Sequence, residues 1–455
     1  VSGVATAVRE LAPAFSGRLI EPGQPGYDEA RKVHNGLIDK RPALIAQCAG
    51  MADIADAVRL GRKLGLEVAV RGGGHNVAGR STTNGGLMVD LSRMRSVHVD
   101  PRRRTARAEG GAIWRDFNRE TQAHGLATTG GVVGSTGVGG LTLGGGLGWL
   151  MGQYGMTLDN LLSVDLVLAD GSIVRASADE NPDLFWAVRG GGGNFGVVGS
   201  FELQLHEVGP MLIGGLVAWP IDRAREVLRF YRDFTKSAPD ALTVFAAMLT
   251  APDGSGAKLV GIAAAHCGPM KQAEAAVAPI KAFGAPVMDV LGPIPYVALN
   301  AMLDAAFPRG ALSYWKSHFI DDLADGAIDT LVERFGKCPT PMGQVLLEHF
   351  HGAATRVPPG DTAYSLRSSG YNSLILAEWT DPAQSQSCID WAKQSYGAIR
   401  PFVGARRYVN YLDDDDSAEA ALTPAYGANL PRLRQIKRKY DPENVFRLNL
   451  NIPPA

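Results

Sequence analysis

Three glycine-rich segments hold the residues with the most chemical content. In Arg71-Gly72-Gly73-Gly74-His75 a cation, three glycines and an imidazole are contiguous. Glycine in regular structure costs roughly 0.5–1 kcal/mol relative to alanine, so three in a row stand where side chains would block a ligand. The bare N–H groups of such a loop form an anion nest suited to a diphosphate. The second segment, Gly130 to Trp149, is too long and too rich in glycine for a turn and reads as backbone laid against a large flat ligand. The third, Arg189 to Gly196, matches GxGxxG at Gly191, Gly193 and Gly196. It follows a helical pattern and leads into a strand, the reverse of the strand-to-helix order of a Rossmann fingerprint, which excludes that motif. No cluster ends in Gly-Lys-Ser or Gly-Lys-Thr, which excludes a P-loop.

A candidate acid–base group lies far downstream. Gln344 to His351 alternates in character, so Gln344, Leu346, Glu348 and Phe350 share one face of a predicted strand and His349 and His351 the other. A carboxyl group set among apolar residues has its pKa raised by desolvation, which suits Glu348 to general-base work. Trp315 and His318, on a separate predicted strand, are weaker pocket candidates. The four cysteines (Cys48, Cys267, Cys338, Cys388) form no CxxC, so neither a zinc site nor a disulfide framework is expected. Asp413 to Asp416 reads as a solvated loop or helix N-cap, since nothing nearby completes a metal site.

These residues must be positioned by two blocks of different texture. In the first two hundred residues short strands (43–48, 67–70, 86–91, 96–100, 103–109, 163–168, 172–176) alternate with helices at 51–64, 114–124 and 183–188. From about Pro210 longer alternating runs (212–220, 242–250, 258–266, 313–321, 344–356, 364–380) are separated by helical patterns at 222–236, 270–283, 326–335 and 381–396. A largely antiparallel sheet with helices on one face is the simplest arrangement. The tail reads as a strand at 407–411, a helix at 426–440 and an extended close at 446–451. A length of 455 residues allows two or three domains. A net charge of −1 leaves no electrostatic footprint for nucleic acid or an acidic membrane. Neither a signal-peptide pattern at the N-terminus nor a run approaching a ~20-residue span is present, which makes a cytoplasmic location the expectation. The 55 glycines, about 12% against an average of about 7%, are the one compositional oddity.

Taken together, RGGGH at 71–75, GSTGVGG…GGGLGWL at 134–150, YGMTLDNLLSVDLVLADG at 154–171, DLFWAVRGGGGNFGVV at 183–198, YVNY at 408–411 and YDPENVFRLNLNIPP at 440–454 resemble the vanillyl-alcohol-oxidase superfamily of FAD-linked oxidases. Within it the chain is most similar to the berberine-bridge-enzyme group, in the bacterial branch of 6-hydroxy-D-nicotine oxidase and the enterocin-pathway flavoenzyme. The resemblance implies FAD bonded through its 8α carbon to His75. Many relatives add a cysteinyl bond at the position of Val133, so a single attachment is expected. Thr136 sits at the family's oxygen-gating position, and its small side chain resembles oxygen-reactive members. Arg71 to Asn76, Gly79, Val133, Ser135, Thr136, Gly139, Gly140, Gly144, Gly146, Trp149, Asp159, Asn160, Val198, Tyr408, Asn410 and Asn449 are the implied cofactor-binding positions. Glu348, Tyr411 and Thr136 are the implied catalytic positions; Gln344, Leu346, Glu348 and Phe350, on one face of the strand, are the expected substrate contacts, with Trp315 and His318 as the weaker candidates named above.

The expected fold is α+β: a two-subdomain PCMH-type FAD-binding unit over 1–208, an antiparallel-sheet substrate domain over 209–408, and a C-terminal segment, 409–455, returning to the first unit. The expected reaction is hydride removal from a C–OH or C–N centre of a small organic or secondary-metabolite substrate, with O2 reoxidising the flavin to give H2O2. The alternatives are a dehydrogenase with another electron acceptor and a flavin-retaining metabolite-binding protein. No metal, nucleic-acid or membrane partner is expected.

Overall fold

The computed structural model describes residues 2–413, 415 and 418–455. The first block forms two small sheets. One runs in the order Arg18–Ile20, Leu44–Gln47, Leu87–Asp90, Val68–Arg71, and its last three strands are parallel. Parallel strands buried on both faces read as apolar runs, and Leu-Ile-Ala and Leu-Met-Val at the centre of this sheet are fully buried. The helix Met51–Lys63 covers it through Ile54, Ala57 and Val58. The other sheet is antiparallel and five-stranded: Val97–Asp100, Thr105–Glu109, Val197–Gln204, Leu161–Val167, Ile173–Ser177.

The second block is one antiparallel sheet, whose main path runs from Met288–Asp289 through Met211–Pro220, Lys258–His266, Leu242–Thr250, Gln344–Phe350 and Gly370–Trp379 to Leu312–Ile320. Helices Ala224–Thr235, Met270–Ala282, Asp325–Gly336 and Ser385–Ile399 bury their apolar stripes against one face, forming the largest core around Trp219, Tyr231 and Trp379. The other face is left for the cavity described below.

Residues after 411 pack on the first block, with Leu412, Leu422, Tyr426, Leu433 and Ile452 in one core with Phe195 and Phe201. Lys437, fully buried, ties this tail down by donating to Asp441 Oδ2 at 2.6 Å and to the carbonyls of Asn194 and Phe446. Both ions are removed from water, so the pair is tolerable only because those carbonyls satisfy the remaining ammonium protons.

Several local expectations are corrected. Within the second glycine segment, for which the sequence offered no element, Val138–Gly144 forms a helix. The run 344–356 breaks at Phe350 and ends in a helical turn, Ala353–Arg356. No strand forms at 407–411; Val409–Tyr411 is a 3-10 turn. Asp413 is not solvated: it is buried, accepts from Lys316 Nζ at 2.8 Å, and its carbonyl takes a bond from Arg80. Asp415 also pairs with Lys316, while Asp414 and Asp416 lie outside the described residues.

Candidate active site

A cavity of about 810 Å³ runs between the glycine loops and the bare face of the large sheet, at the upper end of the ~300–1,000 Å³ range of small-molecule sites. Its first wall is main chain. Gly72, Gly73, Gly74, His75 and Asn76 line it, together with Thr136, Gly137, Gly139, Gly140, Gly192 and Gly193. Gly73 and Gly137 touch backbone to backbone, leaving no room for a Cβ on either. None of the main-chain N–H groups from Gly72 to Asn76 finds an acceptor among the described residues. Peptide N–H groups shielded from water normally find a partner, and five consecutive unpaired donors on a loop that lines the cavity suit an anionic ligand. This donor set fits the pyrophosphate of a dinucleotide, with His75 at the loop's end. Gly72 to Asn76, Thr136, Gly139, Gly140, Val198, Tyr408, Asn410 and Asn449 are among the predicted cofactor positions that reach the cavity and would hold FAD.

His75 lines the cavity, half-buried, and stacks on His34, ring centroids 3.8 Å apart. Burial pushes its imidazole well below the usual histidine pKa, with the neighbouring His34 adding to the effect. The ring is therefore neutral, and its Nε2 is engaged by Ser135 Oγ at 2.8 Å. His34 was not foreseen; nothing in the N-terminal lead marks it.

The opposite wall is made of side chains. Glu348 is 3% exposed, and desolvation raises its carboxyl pKa to about 7 in spite of two hydrogen bonds that pull it down. Asn372 Nδ2 donates to Oε2 at 2.6 Å and Tyr411 OH donates to Oε1 at 3.2 Å. Asn372 is the in-register neighbour of Glu348 on the adjacent strand, a pairing that alternation along one strand does not disclose. Gln344, Leu346 and Trp315 line the cavity together with Glu348, and so do Val133 and Trp149, two more of the expected cofactor positions.

Tyr408 and Tyr411 both reach the cavity, which the expected strand forbids. In a 3-10 turn residues three apart lie on the same side, and the two rings meet edge to face at 4.9 Å. Tyr408 OH receives bonds from Gly146 N and Asn410 Nδ2, both at 3.0 Å, so the turn is fastened to the second glycine segment.

Other predicted site residues stand behind the cavity. Arg71 donates to Asp90 and to the carbonyls of Ala30 and Lys32, bracing the loop from below. Gly79 packs on Ile38, Gly144 on Asn410, and Gly146 meets Thr157 and Tyr408. Asp159 is ion-paired with Arg367 at 2.8 Å, and Asn160 binds the carbonyls of Tyr154 and Met156. Ser135 does not line the cavity and meets the site through its hydrogen bond to His75. Two substrate-side expectations are corrected: Phe350 shares the face of Glu348 but is fully buried in a core with Phe319 and Tyr364. His318 points to the helix side, stacked on Tyr396 at 4.0 Å. Three residues from Trp315, it falls on the other face of the strand.

A main-chain anion cradle with a histidine at its end, facing a sheet wall with one raised-pKa carboxylate in the cavity, is an arrangement that suits a flavin-dependent redox enzyme. Comparison with known proteins agrees. Residues 42–177 match the FAD binding domain family and residues 407–453 the berberine and berberine-like family. The (R)-6-hydroxynicotine oxidase of Paenarthrobacter nicotinovorans is 33% identical over 97% of each chain. The crystal structure of 6-hydroxy-D-nicotine oxidase from Arthrobacter nicotinovorans superposes with a TM-score of 0.89 at 31% identity, covering 97% of this chain and 98% of that one. The glucooligosaccharide oxidase of Acremonium strictum, with its 6-S-cysteinyl, 8α-N1-histidyl FAD, has a TM-score of 0.88 at 26% identity over 99% of each chain. The chain belongs to the berberine-bridge-like group of FAD-linked oxidoreductases in the vanillyl-alcohol-oxidase superfamily. Among the described residues no helix is long and apolar enough to cross a membrane, and the four cysteines are unpaired.

Proposed function

We propose that the protein is an oxidase that removes a hydride from a C–OH or C–N centre of a small organic substrate while the adjacent O–H or N–H loses its proton, with O2 as final electron acceptor. The observation that carries this reading is Glu348: a cavity-facing carboxyl group, raised to about pKa 7 by desolvation and held by Asn372 and Tyr411. A base with a pKa near the working pH combines a populated deprotonated form with useful proton affinity. Glu348 takes the substrate O–H or N–H proton, Asn372 fixes the orientation of the carboxylate, and Tyr411 donates to it. Bound FAD supplies the two-electron acceptor and its reoxidation by O2. Asn410 and Tyr408 hold the C-terminal turn against the glycine segment, and the small side chain of Thr136 leaves its part of the cavity wall open to O2.

His75 is the attachment point. Its neutral ring, with Nε2 occupied by Ser135, leaves Nδ1 for the flavin 8α carbon. Valine at 133 supplies no second bond. A panel of alcohols, amines and sugars scored by peroxide release identifies a substrate. With it, Glu348→Gln slows anaerobic flavin reduction by about 10²–10⁴-fold while flavin content is unchanged; wild-type speed in that variant refutes the base assignment. Yellow colour remains with acid-precipitated wild-type chain and leaves it in His75→Ala; colour retained in the variant refutes the attachment.

A further inference from the structure

The register of the large sheet carries one row of residues from the carboxylate to the surface. Glu348 pairs with Phe245, Phe245 with Ala263, and Ala263 with Leu216, each on the next strand. Val290 N donates to Leu216 O at 2.9 Å and continues the row onto the edge segment. All five residues line the cavity. Four inter-strand steps of about 4.8 Å make the row about 19 Å long. Its far end is an apolar rim, where Val290 is 61% and Val287 60% exposed. Along the sheet wall Glu348 is the one ionisable side chain lining the cavity among the described residues. Small Ala263, at the middle of the row, leaves a trough between Phe245 and Leu216.

We infer that the substrate is an elongated, uncharged, largely apolar molecule: its O–H or N–H lies at Glu348 and its apolar body lies along the trough to emerge at Val290. This rests on Glu348 being the base end of the site. A saccharide needs polar partners along its length, and the row from Phe245 to Val290 offers none. A hydrocarbon or fused-ring body needs only the removal of apolar surface from water, which this row supplies. The exposed valines then mark the point where the longest ligands leave the protein.

The test is equilibrium binding of 4-alkylphenols, from methyl to tetradecyl, to the oxidised holoenzyme, followed by perturbation of the flavin absorbance. Affinity rises roughly fourfold per methylene, then levels off once the chain has reached the rim. Cellobiose perturbs the spectrum only at far higher concentration than the octyl member. Ala263→Trp fills the trough and abolishes the rise beyond about two strand spacings, about 10 Å from Glu348. Val290→Asp, at an exposed position that does not endanger folding, weakens the longest members alone by about tenfold. A flat series, a rise untouched by Val290→Asp, or tighter binding of cellobiose overturns the inference. Binding needs no turnover, so a Glu348→Gln enzyme that still reduces its flavin at full speed defeats the base assignment without altering the chain-length series.

Discussion

The two walls of the cavity are built from opposite materials. On one side Gly72 to Asn76 and Gly137 to Gly140 present peptide groups, and neighbouring loops touch through their backbones. On the other, Glu348, Leu346 and Phe245 present side chains from strands whose alternate residues belong to the helix-covered core. A wall of main chain recognises a ligand common to many proteins and tolerates little change where loops meet, because a Cβ added at Gly73 or Gly137 runs into the other's backbone. A wall of alternating side chains can change what it recognises without disturbing the core, since Val345 and Leu347 face away from the substrate whatever stands at 344, 346 or 348.

The largest expected effect tests the intolerant wall. Gly73→Val drives a branched side chain into the backbone of Gly137, which must move apart and take the anion cradle with it. The variant is expected to be purified without flavin and to remain colourless after incubation with FAD, as read by absorbance. On the side-chain wall, Leu346→Ala is expected to keep full flavin content and alter only substrate affinity. A yellow Gly73→Val, or a colourless Leu346→Ala, breaks the contrast between the walls.

A smaller effect concerns what the substrate wall costs the fold. Glu348 binds its proton more tightly folded, with a pKa of about 7, than unfolded, near 4.5. Its contribution to stability is therefore fully present below about pH 4.5 and is lost as pH rises through 7. The shift corresponds to roughly 3 kcal/mol. Glu348→Gln, which cannot ionise, is expected to be more stable than wild type at pH 8 by up to that amount, and to lose the advantage at pH 4. Denaturant unfolding at the two pH values measures this, and equal stabilities at pH 8 would show that the buried carboxylate is better solvated than its surroundings suggest.

How far this was legible follows the same division. The glycine loops announce themselves in sequence because their function lies in missing side chains, and missing side chains are visible as letters. Glu348 was legible because alternation on a strand assigns its face. Asn372 was not, since register between strands separated by helices is fixed by turns and packing, not by either strand's own pattern. Phe350 obeys the alternation and still misses the cavity, which ends where the Phe319 and Tyr364 cluster begins. The Tyr408–Tyr411 segment was misjudged because two aromatic residues three apart read as well extended as in a 3-10 turn. The bond from Gly146 N to Tyr408 OH, 262 residues away in sequence, helps to hold the turn. Asp413 was taken for a solvated acid because its partner, Lys316, comes from a strand 97 positions earlier.

The smallest predicted effect isolates one bond on the side-chain wall. Tyr411 OH donates to Glu348 Oε1 at 3.2 Å, stabilising the charged carboxylate and lowering its pKa. Tyr411→Phe removes the donor and leaves the ring. The proton is then held more tightly, so the acid limb of the pH profile for anaerobic flavin reduction moves upward, by about one unit if the bond is worth about 1.4 kcal/mol. Because the proposed base works deprotonated, the variant is expected to be slower than wild type below pH 7 and to approach it at pH 9. A rate depressed equally at every pH would instead place Tyr411 in direct contact with the reacting substrate. An unshifted profile at full rate would leave Asn372, whose 2.6 Å bond to Oε2 also lowers the carboxyl pKa, as the group that tunes the base.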